Sequence, residues 1–412
     1  MRFLSQSLSL AIAALLVSCS SQEEGVTYGE INEDGPYTPI ALSAEQTVIA
    51  EKSNDMSVNI LKDGLEGQHM NNILFSPLNS TVGLAIIANM SDADSQAKLL
   101  EVLGYSDMEN LNEFCRNVMT NMPVVDPENV INSTASALWL NSQFNINVDD
   151  YFASTAAKYF NFAPVTLDFK DKAAVETLNS WVSRHTNGLI NEFFNNPLDN
   201  RDELTVTSTL YFKGIWRTKF RVENTKKGVF TDENGLPVQD VDFMNGVPMA
   251  DYARTEHAKV VALPYGKKSF EMVVAVPTST DVPYDVIADE AINAELRENV
   301  SVNLTMPKFT TSCDFTIDDY LQSQGINYSD MKACHLTRNN SDDYTLVMGS
   351  NQSAQIIVDE QGTEAASAFK SDWVWADLGN EIVKADHPFV YFIRERESGI
   401  ILFMGVLRNP KL

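Results

Sequence analysis

Hydrophobic and polar positions repeat with two different periods along this chain, and the helical period prevails in its first half. Residues 43 to about 62 open with Ser43 followed three places on by Gln46, a reciprocal helix-capping pair, and carry Ile49, Met56 and Ile60, which predicts a first helix. Helical patterns dominate to about residue 125. Residues 133–140 alternate and end in Ala137-Leu138-Trp139-Leu140, a buried-strand pattern, and residues 175–194 return to helical spacing through Leu178, Trp181, Val182, Leu189 and Ile190. From residue 204 onward short β-rich runs recur, at 204–212, 260–263, 270–276, 300–306, 344–348, 354–358, 389–393 and 400–406. There is no internal repeat. Helices first and strands later predict one α+β domain with large mixed sheets over residues 43–412.

One stretch breaks this rhythm. Residues 359–386 run 28 positions without a firm strand signal, whereas loops beyond about 15 residues are uncommon inside a compact domain and usually functional or disordered. Gly362 is followed by the small-residue run Thr363-Glu364-Ala365-Ala366-Ser367-Ala368, then by Phe369, Trp373 and Trp375. An alanine-rich helix capped by Thr363 is one reading of this composition, and an exposed functional loop is the other.

Composition narrows the function classes. With 412 residues and 44% apolar content there is ample material for a core, and 56 acidic against 30 basic residues, a formal charge of −26, exclude a general polyanion footprint and with it nucleic acid. Cys19, Cys115, Cys313 and Cys334 show no CxxC spacing, and the five histidines have no metal-ligand spacing, so neither a metal site nor a disulfide framework is expected. Residues 1–18, with Arg2 and an apolar run from Leu8 to Val17, form a signal-peptide pattern too short to span a bilayer comfortably. Leu16-Val17-Ser18-Cys19 resembles the bacterial lipoprotein box, which implies diacylglycerol on Cys19 and a Gram-negative lipoprotein. Ser20 and Glu23-Glu24 favour the outer membrane, facing either the periplasm or the cell surface. Residues 19–42 read as a lipidated polar tether, the only expected membrane contact.

The odd loop and a series of short motifs together resemble the serpin family. Asp359-Glu360-Gln361-Gly362-Thr363-Glu364-Ala365-Ala366 is similar to the proximal hinge of inhibitory serpins almost letter for letter. Phe75-Ser76-Pro77, Glu101-Val102-Leu103-Gly104, Asn179-x-Trp181-Val182, Tyr211-Phe212-Lys213-Gly214-x-Trp216, Leu263-Pro264-Tyr265, Met306-Pro307-Lys308, His387-Pro388-Phe389 and Phe403-Met404-Gly405 continue the resemblance in the family's order.

The resemblance implies three β-sheets with eight or nine helices and a reactive-centre loop at about 360–386. It implies a suicide-substrate inhibitor of serine, or alternatively cysteine, proteases that traps the acyl-enzyme as a covalent complex when the cut loop enters the main sheet. Glu360, Gly362, Thr363, Glu364, Ala365, Ala366, Ser367 and Ala368 would form the hinge; Phe369 departs from the small residues usual there. Family spacing counted from Glu360 puts the attacked bond after Ala376, and counted back from Pro388 it puts the bond after Asp377. Ala376 suits an elastase-like enzyme, Trp375 a chymotrypsin- or subtilisin-like one, and Asp377 an aspartate-directed one.

The matching shutter and breach positions are Ser76, Asn79, Ser208, Gln352 and Trp216. Asn79, Ser208 and Gln352 replace the usual serine, asparagine and histidine, so sheet opening should not titrate near neutral pH. No cofactor is expected, nor a heparin site, because residues 99–122 lack a basic stripe; the chain is expected to be a monomer. Ser95-Gln96-Ala97-Lys98 fits the S-x-x-K pattern of penicillin-binding enzymes, but its S-D-N and K-T-G partners are absent, so the chain reads as an inhibitor and not an enzyme. The alternative is a non-inhibitory serpin-fold binding or scaffold lipoprotein.

Overall fold

The computed structural model describes residues 35–63, 72–194, 198, 202–327, 330–338, 344–345, 350–363 and 381–412. The first helix forms as Ala44–Asp63 with its cap reciprocal: the Gln46 N–H donates to Ser43 Oγ (3.2 Å) and the Ser43 N–H to Gln46 Oε1 (3.4 Å). The chain before it is already fixed. Ile40 is buried and Tyr37 donates to Glu397 (3.2 Å), so the polar stretch expected to run as a tether as far as residue 42 is held on the body from Tyr37 onward by apolar anchors.

Eight α-helices, three large β-sheets and two two-stranded ribbons make up the fold among the described residues. One sheet runs, in spatial order, Phe309–Thr316, Ser350–Val358, Gly362–Thr363, Leu204–Ile215, Val130–Asn141 and Val165–Leu167. The other two share the strand Arg297–Pro307. Its first part pairs with Met249–Arg254 in a section that continues to Ile73–Phe75, and its later part with Pro237–Gly246 and Glu381–Lys384. Phe270–Pro277 and Ile401–Leu407 are buried at every position, which is why they read as continuous apolar runs and not as alternation. Helix Pro77–Met90 is almost wholly buried, while helix Lys172–His185 packs Leu178 with Trp139 and Phe169 in a separate small cluster.

Two expectations are corrected. The helical pattern over 175–194 stops at His185, because Asn187 and Gly188 adopt positive φ (52° and 77°) and the chain turns back, with Asn179 Oδ1 accepting from the N–H groups of Phe193 and Phe194. The long segment 359–386 is also not strandless throughout. Gly362–Thr363 lies within the six-stranded sheet, and Glu381–Lys384 runs parallel to Val302–Thr305.

Candidate functional site

The candidate site forms where the chain leaves strand Ser350–Val358. Asp359 closes a tight turn, its N–H donating to the Gly362 carbonyl (3.0 Å) and its Oδ1 accepting from the N–H groups of Gln361 (2.7 Å) and Gly362 (3.3 Å). The chain then slots between two strands: Gly362 pairs with Ile215, and Thr363 pairs with Gly214 on one side and Val358 on the other. Only glycine fits this approach, since a Cβ on Gly362 would lie 2.0 Å from the Gly214 carbonyl oxygen.

Thr363 is 1% exposed, and its hydroxyl meets the Tyr265 hydroxyl at 2.6 Å. Tyr265 stacks on Trp216 with ring centroids 4.4 Å apart. Trp216 in turn donates from Nε1 to the Asp359 carbonyl (2.8 Å) and from its backbone to the Gln361 carbonyl (2.9 Å), so it holds both sides of the turn.

Glu360 anchors the turn electrostatically. Its side chain is buried and accepts from Thr225 Oγ1 (2.6 Å) and Lys308 Nζ (2.7 Å), while its carbonyl accepts from the Phe220 N–H. Burial pushes the Glu360 carboxyl up, but the Lys308 and Thr225 hydrogen bonds outweigh it and hold the group below its ordinary range. Asp359 moves the other way, because burial raises it more than its two N–H donors lower it.

Further along, strands Leu204–Ile215 and Ser350–Val358 meet directly, with Ser350 paired to Val206 and Asn351 to Thr207 in parallel. They therefore form a wedge, closed at that end and parted by Gly362–Thr363 at the other. Near the closed end Ser76 caps helix Pro77–Met90 by accepting from the Asn79 N–H (3.1 Å), with proline at the first helical position, where no N–H partner is needed. Both ends of the Gln352 amide engage the Ser76 backbone: Oε1 accepts from its N–H (2.6 Å) and Nε2 donates to its carbonyl (3.0 Å). Ser208 instead meets Ser136 on the neighbouring strand (3.2 Å). Among the described residues Asn79 Oδ1 is buried without a hydrogen-bond partner, so this group of amides and hydroxyls is satisfied at every link but one.

The geometry thus joins Glu360, Gly362, Thr363 and Trp216 in one cluster and Ser76, Asn79 and Gln352 in a second. Glu364, Ala365, Ala366, Ser367, Ala368, Phe369, Trp373, Trp375, Ala376, Asp377 and Cys19 lie outside the described residues. Sequence reasoning missed Thr225 as a partner of Glu360, and it met Lys308 and Tyr265 only as letters in motifs. The available signal was the acid itself, since a glutamate drawn into a sheet requires a cation and donors nearby. Among the described residues, Glu256, His257 and Glu290 bring potential metal-ligand atoms within 4.8 Å of one another. Glu290 is already occupied, accepting from the Thr255 hydroxyl and from the backbone N–H of His257 while its other oxygen meets the His257 ring.

Comparison with known proteins agrees with this architecture. The family model Serpin (serine protease inhibitor) matches residues 51–410. Mouse (Mus musculus) neuroserpin is 28% identical over 398 residues, covering 90% of this chain and 96% of its own length. The solved structure of Arabidopsis AtSerpin1 in its native stressed conformation superposes with a TM-score of 0.77 at 25% identity, over 90% of this chain and 100% of that one. That of the thermophilic serpin Tengpin in the native state gives 0.79 at 22% identity, over 91% and 97%. With the family model spanning most of the chain and the same fold found in these structures, this protein belongs to the serpin family.

Proposed function

We propose that this serpin is a suicide-substrate inhibitor of serine proteases. The observation that carries the reading is the wedge in the six-stranded sheet, with Gly362–Thr363 already seated at its open end and paired on both sides. In the reaction the protease's serine Oγ bonds to the carbonyl carbon of Ala376 or a neighbour. The peptide C–N bond breaks, and the amine of the next residue leaves with a proton. The freed loop then continues the strand begun at Gly362. About 14 residues at about 3.3 Å each carry the esterified protease roughly 45 Å along the sheet before water cleaves the ester. An elastase-like enzyme fits Ala376, and a chymotrypsin- or subtilisin-like enzyme fits Trp375.

The test is incubation with a panel of serine proteases, followed by denaturing electrophoresis and the mass of the released C-terminal peptide. A covalent complex that survives denaturation is expected, and the peptide mass reports the bond. Clean cleavage with no complex across the panel sinks the inhibitory reading and leaves a binding or scaffold serpin.

We propose further that lipid on Cys19 anchors the protein at the outer membrane, supported by the Leu16-Val17-Ser18-Cys19 box. The Cys19→Ser variant should then lose membrane association, and the native N-terminal peptide should carry the mass of the lipid.

A further inference from the structure

The point where the N-terminal lead-in joins the body is set by two contacts, and both lie near the hinge. The Thr38 N–H donates to the Val125 carbonyl (3.2 Å). Residues 126–130 form a single turn, the Ile215 N–H donates to the Asn129 carbonyl, and Ile215 pairs with Gly362. On the other side Tyr37 bonds Glu397, the adjacent Arg396 pairs with Glu298 (3.4 Å), and Arg297 beside it pairs with Glu381 (2.7 Å). Both described ends of the reactive segment, Thr363 and Glu381, are therefore linked to the lead-in through a few contacts.

The opposite pole is much farther away. Strand Val130–Asn141 runs 12 residues from the hinge end, about 36 Å at 3.3 Å per residue, and Asn147, paired with Thr337, lies beyond it. Residues 20–36 supply 17 positions between Cys19 and the first body contact. If these positions are the polar tether the sequence predicts, their root-mean-square span is about 23 Å, shorter than the body they would have to reach around.

Charge points the same way. In a chain of 56 acidic and 30 basic residues, positions 213–227 hold Lys213, Arg217, Lys219, Arg221, Lys226 and Lys227 against Glu223 alone. This segment begins beside the hinge, where Gly214 pairs with Thr363, and Lys226 and Lys227 at its end are exposed, Lys227 in an ion pair with Asp242 on the neighbouring strand (2.8 Å).

We propose that the hinge end of the molecule is its membrane-facing pole, with the basic segment 213–227 resting on an anionic lipid surface; this rests on the Cys19 anchor proposed above. A protease is then met beside the bilayer, and insertion of the cut loop along the sheet carries it toward the far pole, away from the lipid.

The test couples a maleimide phospholipid to Cys19 of the mature chain in a Cys313→Ser, Cys334→Ser background, leaving the buried Cys115. Orientation is thus read whether or not the cell lipidates Cys19. A donor fluorophore is placed on an encoded azido residue at position 298 or at position 147. Energy transfer is read to acceptor lipids in vesicles of phosphatidylcholine and phosphatidylglycerol at about three to one. Transfer at least twofold stronger from 298 is expected, and that ratio should shrink when Lys226→Glu and Lys227→Glu are combined. Equal transfer, or stronger transfer from 147, overturns the orientation; a ratio unmoved by the charge reversals overturns the lipid contact of 213–227. A native N-terminal peptide with bare Cys19 would instead sink the anchor alone.

Discussion

At Thr363 the side chain is enclosed by the sheet and its hydroxyl sits against Tyr265. Thr363→Arg would drive a long cation into that space at a cost of several kcal/mol if it entered unpaired. The variant should be cut at the normal rate yet release active protease, read as a stoichiometry of inhibition many times that of the parent; unchanged stoichiometry would refute insertion through this hinge. Glu360 is testable by pH. Its folded carboxyl lies below the ordinary value of 4.5, so its stabilisation is complete above pH 4.5 and is lost as pH falls through the lower folded value. Glu360→Gln breaks a charged hydrogen-bond pair and should cost about 1–3 kcal/mol at pH 7. Denaturant titrations of parent and variant should converge on acidification below pH 4.5, and a gap that widens there would contradict the assigned ion pair with Lys308.

Where helix Pro77–Met90 meets the sheet, the buried Asn79 Oδ1 is the weak link. Asn79→Ser keeps a polar group but removes an acceptor whose unsatisfied burial costs about 1–3 kcal/mol, so the melting temperature should rise by a few degrees. An unchanged or lower midpoint would mean that the amide is satisfied in solution. This junction also marks how far elements were legible in sequence. Strands buried on both faces, such as Phe270–Pro277 and Phe389–Glu395, announce themselves as apolar runs, and the first helix by its cap. Lys226–Thr231 and Pro237–Gly246 stayed hidden because exposed polar positions interrupt them, and Met249–Arg254 because Asp251 and Tyr252, though buried, break its short apolar run. The hinge motif was readable letter by letter. Its entry into the sheet was not, since pairing Gly362 with Ile215 joins residues 147 positions apart (362 − 215).

For the whole molecule, the proposed insertion makes stability depend on whether the loop is intact. Cutting between residues 369 and 377 should let the loop complete the strand begun at Gly362–Thr363, adding a ladder on both edges and raising the melting midpoint by tens of degrees. A flat or lower midpoint after a mass-confirmed cut would favour the scaffold alternative, because a nick without insertion adds only chain entropy. The wedge has a second consequence, at the level of populations. Backbone hydrogen bonds join an incoming strand to the gap, and they do not distinguish one copy's loop from another's. What favours the molecule's own loop is its effective concentration, of millimolar order for a short connection. The anchor proposed at Cys19 would confine the copies to two dimensions and narrow that advantage. A loop donated to a neighbour leaves the donor's own gap vacant, so such contacts are head-to-tail and grow into open chains. Warming at increasing density should therefore yield linear assemblies in light scattering, and cutting the loop beforehand should abolish them by filling every gap from within.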